Sequence, residues 1–201
     1  MTIKIFFGNK TINLTSKADL DDTALSAYYA DLTEQQVVDV VKHFVQSATD
    51  ESLNMCEANV ELLLDKVMLS FKPIDAAGGL IENGKGELLV IYRRGKYDLP
   101  KGKRETNETN EQNALREVEE ETGLSARIVA PLSNTYHIYQ LANGQYCLKT
   151  THWFRMKVDG VPTPTPQTEE DIAEAIWVSR EQMKNLAPQA YLSLQDIFLN
   201  A

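Results

Sequence analysis

Four glutamates crowd into one short segment of the chain, and this crowding is the first sign of chemistry. They are Glu117, Glu119, Glu120 and Glu121. Arg116 comes directly before them and Gly123 follows shortly after. Like charges three or four residues apart on a helix repel each other by about 0.2–0.5 kcal/mol per pair. The cluster therefore indicates either a solvated helix face or a site that binds something positive.

The spacing of these glutamates favours a bound cation. If residues 109–122 form a helix, at about 100° per residue, then Glu117, Glu120 and Glu121 share one face. Mg²⁺ prefers oxygen ligands, keeps several of its waters and is usually shared with substrate phosphates. We therefore expect three carboxylates to converge on one point, where they would hold Mg²⁺, or alternatively Mn²⁺, together with a polyphosphate.

The same segment resembles the Nudix box, written G-x5-E-x7-R-E-U-x-E-E-x-G-U, where U is a bulky apolar residue. Gly102 matches the first position and Glu108 the second, and the run from Arg116 to Leu124 matches all the others. The strands and turns around the box extend this resemblance over about residues 74–200. Residues 1–73 lie outside it.

The resemblance implies a role for each matched residue. The metal ligands would be the backbone carbonyl of Gly102 and the side chains of Glu117, Glu120 and Glu121. These glutamates would also belong to the catalytic group, while Glu108 and Arg116 would form a supporting ion pair. The implied reaction is Mg²⁺-dependent hydrolysis of a pyrophosphate bond in a nucleoside diphosphate-linked substrate.

A general base must accept the proton of the attacking water in such a reaction. The family uses either a box glutamate or a glutamate from a later loop, which in this chain reads "QTEEDIAEAIW". We take Glu170 as the candidate from this loop and keep Glu169 and Glu174 as alternatives. Each of the three is also compatible with a solvated loop.

Several cationic side chains around the box are candidates for binding phosphate. They are Arg93, Arg94, Lys101, Lys103, Lys149 and His152. The stretches "LPKGK" and "KTTHWF" resemble Nudix members that act on dinucleoside polyphosphates, diphosphoinositol polyphosphates and related nucleoside triphosphates. We therefore expect a dinucleoside polyphosphate or a related polyphosphate. The alternatives are a nucleoside triphosphate pyrophosphohydrolase that cleans the nucleotide pool, and a catalytically silent ligand-sensing or scaffold protein.

The composition and net charge indicate which kinds of partner to expect. The chain has 201 residues, a formal net charge of −9 and 43% hydrophobic residues. The acidic balance argues against bulk nucleic acid as a partner, but it is compatible with a small phosphorylated substrate. Two distant cysteines, a start "MTIKIFFGNKTINLT" without a long apolar stretch or a small-residue cleavage site, and the lack of an apolar run of about 20 residues predict a cytoplasmic protein without a membrane partner. Whether it forms a homodimer is left open.

The remaining sequence predicts an α/β fold, a Nudix-type α/β/α sandwich with a mixed sheet over residues 74–201. A small α+β subdomain of unknown role precedes it over residues 1–73, and Pro73 is expected to close it. The subdomain combines a hairpin in "IKIFFGNKTINLT" with a helix in "TEQQVVDVVKHFVQSA".

Three shorter segments complete the prediction. The stretch "ANVELLLDKVMLSF" is either a second helix or a helix that runs into a strand. "YDLPKGK" is expected to be a loop. The box helix is expected to have Thr109 or Asn110 as its N-cap and Gly123 at its C-terminal end.

Overall fold

The computed structural model describes residues 2–20, 28–48 and 52–201. The chain divides into two compact units. The first unit comprises Met1–Ile74 and Tyr136–Lys149, and the second comprises Asp75–Thr135 and Thr150–Ala201. The boundary predicted after residue 73 remains a prediction about domains, and the first compact unit also takes in a later hairpin. None of the helices in the described ranges is long and apolar enough to cross a membrane.

The described residues contain strands, α-helices and short 3-10 turns. The strands are β1 (Thr2–Phe7), β2 (Lys10–Ser16), β3 (Tyr29–Ala30), β4 (Leu53–Glu57), β5 (Lys72–Glu82), β6 (Leu88–Arg93), β7 (Lys96–Asp98), β8 (Lys101–Lys103), β9 (Arg127–Pro131), β10 (Thr135–Gln140), β11 (Tyr146–Lys157) and β12 (Ile172–Val178). The α-helices are α1 (Glu34–Gln46), α2 (Val60–Met68), α3 (Asn110–Thr122), α4 (Arg180–Leu186) and α5 (Gln195–Asn200).

The first unit is a mixed sheet covered by α1 and α2. Its strands follow the order β10-β1-β2-β4-β3. β1 and β2 form the predicted antiparallel hairpin, whereas β4 is parallel to β2 and to β3. Val41 and Phe44 of α1, Leu63 of α2 and Ile12 of β2 belong to one buried cluster. Both helices therefore pack by apolar side chains at helical spacing, as the sequence pattern predicts for α1.

The second unit is built on the strand order β12-β6-β5-β11, with β7 on β6, β8 on β5 and β9 on β11. Neighbouring residues of β6 point to opposite faces, as a strand requires. Val90 belongs to a core cluster with Phe198 of α5, and Leu89 to another with Val118 of α3. Helices thus cover both faces of this sheet, and the predicted α/β fold with a mixed sheet is confirmed.

One local prediction is wrong, and one open alternative is resolved. Pro73, expected to close the subdomain, is the second residue of β5, where proline is tolerated, and the opening segment of the first unit ends at Ile74. The expected loop "YDLPKGK" instead contains most of β7 and all of β8, because β6 and β5 supply their hydrogen-bonding partners. The stretch from Ala58 to Phe71 forms α2 and a turn, and β5 follows directly.

Candidate active site

The box helix α3 begins and ends where its local signals predict. The hydroxyl of Thr109 accepts a hydrogen bond from the backbone N–H of Gln112, and the Gln112 side chain accepts one from the N–H of Thr109. This capping box selects Thr109 over Asn110 as the N-cap. Gly123 ends the helix with φ of 68°, a left-handed conformation that glycine adopts at little cost.

Gly102 lets its strand approach the carboxylate of Glu117 closely. It lies in β8, opposite Ala77 of β5. A Cβ atom at position 102 would lie 2.0 Å from Oε2 of Glu117, a distance that no real contact allows. Any larger residue would therefore displace the Glu117 side chain, which is itself buried.

Arg116 connects three box glutamates. Its guanidinium donates to both carboxylate oxygens of Glu108, at 2.7 and 3.0 Å. Its Nη1 donates to Glu117 Oε1 and to Glu120 Oε2, each at 2.8 Å. The hydrogen bonds from Arg116 are the main cause that lowers the pKa of Glu108 to about 2. The structure thus brings together the Glu108–Arg116 pair that the box resemblance implies.

Glu121 is the most deeply buried of these carboxylates, with 0% of its surface exposed. It accepts hydrogen bonds from the backbone N–H of Lys101, at 3.0 Å, and from Nη1 of Arg93, at 3.1 Å. Burial raises the pKa of Glu121 to about 7, although Lys101 and Arg93 oppose the change. Burial also raises the pKa of Glu117. Two carboxyl groups on successive turns are thus held in a site that disfavours their charge.

Arg93 also connects Glu121 to the candidate general base. Its Nη2 donates to Glu170 Oε2 at 2.9 Å, in the 3-10 turn Thr168–Glu170. The segment before this turn is tied to the last turn of α3, because the N–H of Gln167 donates to the backbone oxygen of Glu121 at 3.1 Å. Of the three candidate bases, Glu170 is therefore the one linked to a box glutamate by Arg93. Glu169 and Glu174 are exposed.

The expected convergence of three carboxylates on one point is not what the structure shows. Glu117 and Glu120 meet at Arg116, whereas Glu121 meets Arg93 and the amide of Lys101. In residues 2–20, 28–48 and 52–201, no group of three or more His, Cys, Asp or Glu side chains is arranged to hold a metal ion. Each guanidinium group instead pairs with a different part of the set, Arg116 with Glu117 and Glu120 and Arg93 with Glu121.

The donor set nevertheless fits a hard divalent cation. Glu117, Glu120 and Glu121 offer carboxylate oxygens, and Gly102 can offer its backbone oxygen. Such a set suits Mg²⁺ or Mn²⁺ better than a soft metal. Gly102 has no side chain, so its backbone can lie directly beside the Glu117 carboxylate. The residues therefore fit the proposed ion.

The predicted phosphate-binding residues differ in their placement. Arg93 contacts Glu121 and Glu170, and Lys101 reaches Glu121 through its backbone while its Nζ binds Asp98 at 2.5 Å. Arg94 binds Asp171 at 2.9 Å, and Lys103 is exposed. Nε2 of His152 lies 3.8 Å from Oδ1 of Asp75. Lys149 belongs to the first unit. Their roles in binding substrate remain predictions.

Two residues at the site were missed by the sequence reasoning. Arg104 donates to Asp75 at 2.6 Å and to the backbone oxygen of Glu108 at 3.2 Å, so it ties the box loop to β5. Asn113 is fully buried beside Glu117. The available signal for Asn113 was its position on α3, four residues before Glu117 and eight before Glu121.

Comparisons with known proteins agree with the box. The family model described as NUDIX domain matches residues 72–197. The chain is 38% identical over 124 residues to "Putative mutator protein MutT4" of Mycobacterium tuberculosis, covering 56% of this chain and 49% of that relative. It is 26% identical over 128 residues to an "RNA pyrophosphohydrolase" of Erythrobacter litoralis, covering 55% of this chain and 78% of that relative.

A solved structure shares the fold. The MutT protein of Methanosarcina mazei Go1 superposes with a TM-score of 0.51 at 24% identity, covering 65% of this chain and 93% of that one. This similarity concerns the fold alone. The match to MutT4 spans about half of that relative's length.

Proposed function

The chain belongs to the NUDIX domain family, and from this we propose that it is a Mg²⁺-dependent hydrolase. The bond cleaved is a pyrophosphate bond in a nucleoside diphosphate-linked substrate. The substrate class that we propose is a dinucleoside polyphosphate or a related polyphosphate. The relative named as a pyrophosphohydrolase supports the reaction class, and the "LPKGK" and "KTTHWF" stretches support the substrate class.

One observation carries this proposal. Glu117 and Glu121 are 6% and 0% exposed, one helical turn apart, beside the strand that contains Gly102. Burying a charged group costs several kcal/mol unless it is paired, and an apolar pair is often more stable even than a buried ion pair. Stability alone therefore does not explain two buried carboxylates at this place, whereas binding of a divalent cation does.

The residues of the site have separate tasks in the proposed reaction. Gly102, through its backbone oxygen, and Glu117, Glu120 and Glu121 would hold the cation. A divalent cation so bound neutralises phosphate oxygens and lowers the pKa of water. Arg116 orients Glu117 and Glu120 through its hydrogen bonds.

Glu170 is the proposed general base. Arg93 holds its carboxylate at 2.9 Å and also binds Glu121 at 3.1 Å, so the base is fixed beside the carboxylates of the box. From there Glu170 would accept the proton of the attacking water. We also assign to the guanidinium of Arg93 a contact with a phosphate oxygen of the substrate, because arginine binds phosphate through charge-assisted hydrogen bonds.

A substrate panel tests the proposal. Purified protein is incubated with Mg²⁺ or Mn²⁺ and with dinucleoside polyphosphates, nucleoside triphosphates and diphosphoinositol polyphosphates, and the products are separated by ion-exchange chromatography. We expect AMP or ADP plus the complementary nucleotide, and no reaction in EDTA. A monophosphate plus pyrophosphate would instead identify a triphosphate pyrophosphohydrolase. No turnover across the panel would overturn the proposed activity and favour a ligand-sensing or scaffold role.

A further inference from the structure

A buried amide lies next to the carboxylates of α3. Asn113 is 0% exposed, although it carries a polar side chain. Its oxygen Oδ1 is buried and has no hydrogen-bond partner. Native proteins leave few buried polar atoms unpaired, and each one requires an explanation such as a water or an ion.

The other end of the same amide faces the site. Nδ2 of Asn113 makes two long hydrogen bonds, to Glu117 Oε1 at 3.5 Å and to the backbone oxygen of Lys103 at 3.4 Å. Positions 113, 117 and 121 are four residues apart, so these side chains form one row along α3. Asn113 thus extends the row of oxygen-bearing side chains by one turn towards the N-terminus of the helix.

Stability does not account for asparagine at this position. An unpaired buried acceptor destabilises the folded state, and asparagine forms helix less readily than alanine. The two oxygens that accept hydrogen bonds from Asn113 also have a second donor. Arg116 donates to Glu117 Oε1 at 2.8 Å and to the Lys103 oxygen at 3.2 Å. An alanine would leave neither acceptor unpaired.

We propose that Asn113 is a positioning residue of the divalent-cation site, an inference that rests on the proposed function. The amide nitrogen orients the carboxylate of Glu117. The amide oxygen, which is unpaired without the cation, would accept a hydrogen bond from a water that a bound cation brings with it, because Mg²⁺ retains several waters when proteins bind it. Groups that hold metal ligands in this indirect way change metal affinity about 10–100-fold when they are removed.

Two substitutions separate this role from a structural one. Asn113→Ala removes the amide, and Asn113→Leu removes its polar atoms while keeping a similar shape. Asn110→Ala is the matched control, because Asn110 lies on the same helix and is partly exposed. Mn²⁺ affinity is measured without substrate, by electron paramagnetic resonance of the free ion. Thermal unfolding is measured in EDTA and in Mn²⁺.

We expect both Asn113 variants to bind Mn²⁺ about 10-fold more weakly than the wild type. In EDTA, Asn113→Ala should unfold at the same temperature as the wild type or higher, because an unpaired acceptor is removed. Asn110→Ala should match the wild type in affinity. A structural role predicts the reverse pattern, with a lower unfolding temperature in EDTA and unchanged Mn²⁺ affinity.

The outcomes distinguish this inference from the proposed function. If the wild type binds Mn²⁺ and both Asn113 variants bind it equally well, only the role of Asn113 is overturned. If the wild type binds no Mn²⁺ at millimolar concentration, the cation site itself is overturned and the role of Asn113 with it. Weaker binding by Asn110→Ala, equal to that of Asn113→Ala, would also overturn the specific role of Asn113.

Discussion

Two helices of this protein share their length and their start signal but differ in what they bury. α1 and α3 each have 13 residues, and each begins with a threonine N-cap and a glutamine capping box. α1 buries only apolar side chains, which are Val37, Val41, Phe44 and Val45. α3 buries Ala114 and Val118 together with four polar residues, which are Asn113, Glu117, Glu121 and Thr122.

The comparison shows that the same N-terminal capping signal can precede helices whose buried faces have different roles. The capping box specifies where a helix starts, whatever its buried face contains. The apolar face of α1 stabilises the first unit directly. The polar face of α3 is held by Arg93, Arg116 and the strand around Gly102, which makes it suitable for binding charge. The following predictions test this contrast, from the largest expected effect to the smallest.

Removing an aromatic side chain from α1 should have the largest effect on stability. Phe44 is 8% exposed and belongs to the core cluster of the first unit. Phe44→Ala should lower the free energy of unfolding by about 3–5 kcal/mol, because the transfer and cavity terms add. Urea denaturation followed by circular dichroism measures this. Lys42→Ala, at an exposed position of the same helix, is the control. A loss below about 1 kcal/mol would contradict the contrast.

Neutralising one carboxylate of α3 should affect activity and leave stability nearly unchanged. Glu120 is half exposed, and its partner is Arg116. Glu120→Gln should lower turnover by about 100-fold or more, which corresponds to about 2.7 kcal/mol of barrier, because one ligand charge is lost. Steady-state kinetics with saturating Mg²⁺ measure this. Glu119→Gln, one residue away and exposed, should retain activity. Near-wild-type turnover by Glu120→Gln would refute the ligand assignment.

Removing a buried charge from α3 should increase stability, whereas removing an aromatic side chain from α1 should decrease it. Glu121→Gln keeps the shape of the side chain and removes a fully buried carboxylate. In EDTA at pH 8 it should raise the free energy of unfolding by about 1–2 kcal/mol, because burial raises the pKa of Glu121 to about 7 and its charged form, present at pH 8, therefore destabilises the folded state. Arg93 keeps Glu170 as a partner. Urea denaturation tests the sign, and a clear loss of stability would show that the carboxylate is structural.

Glu82, a carboxylate outside α3, has a pKa shift opposite to those of Glu117 and Glu121. The hydrogen bond from Lys157 is the main cause that lowers the pKa of Glu82 below the ordinary 4.5; burial opposes it, and the charges of Lys157 and Arg180 add to the lowering. The folded state therefore binds the proton less readily than the unfolded state. The stabilisation is complete above pH 4.5 and is lost as pH falls through the lowered pKa.

Glu82→Gln should accordingly reveal this pH window. At pH 7 it should lower the unfolding temperature by about 2–4 °C, the change that corresponds to about 1 kcal/mol in a protein of this size. The difference from the wild type should shrink as pH falls below 4.5. Differential scanning calorimetry from pH 7 to acidic pH measures it. A difference that stays constant throughout would exclude the charge as its source.

Much of the site could be predicted from the sequence because its signals are local. The spacing of the box carries Gly102, Glu108 and Arg116, and the structure places Glu108 and Arg116 in contact. The end of α3 at Gly123 follows from the φ angle that glycine tolerates. The hairpin of β1 and β2 follows from alternation on either side of a short turn. Each of these features depends on residues close together in sequence.

Other features were decided by the tertiary structure alone. Arg93 reaches Glu121 and Glu170, which lie 28 and 77 residues away in sequence. β8 exists because β5 lies beside it. The burial of Asn113 likewise depends on its surroundings in the folded unit.

The amino-acid pattern by itself determined the family, the box helix and the set of carboxylates. It could not determine how these carboxylates are divided between two arginines or which later glutamate joins them. The physical reason is that the interactions involved act over different separations along the chain. Helix caps, turns and periodicity act over a few residues, whereas burial and ion pairing depend on which distant segments the folded chain brings together.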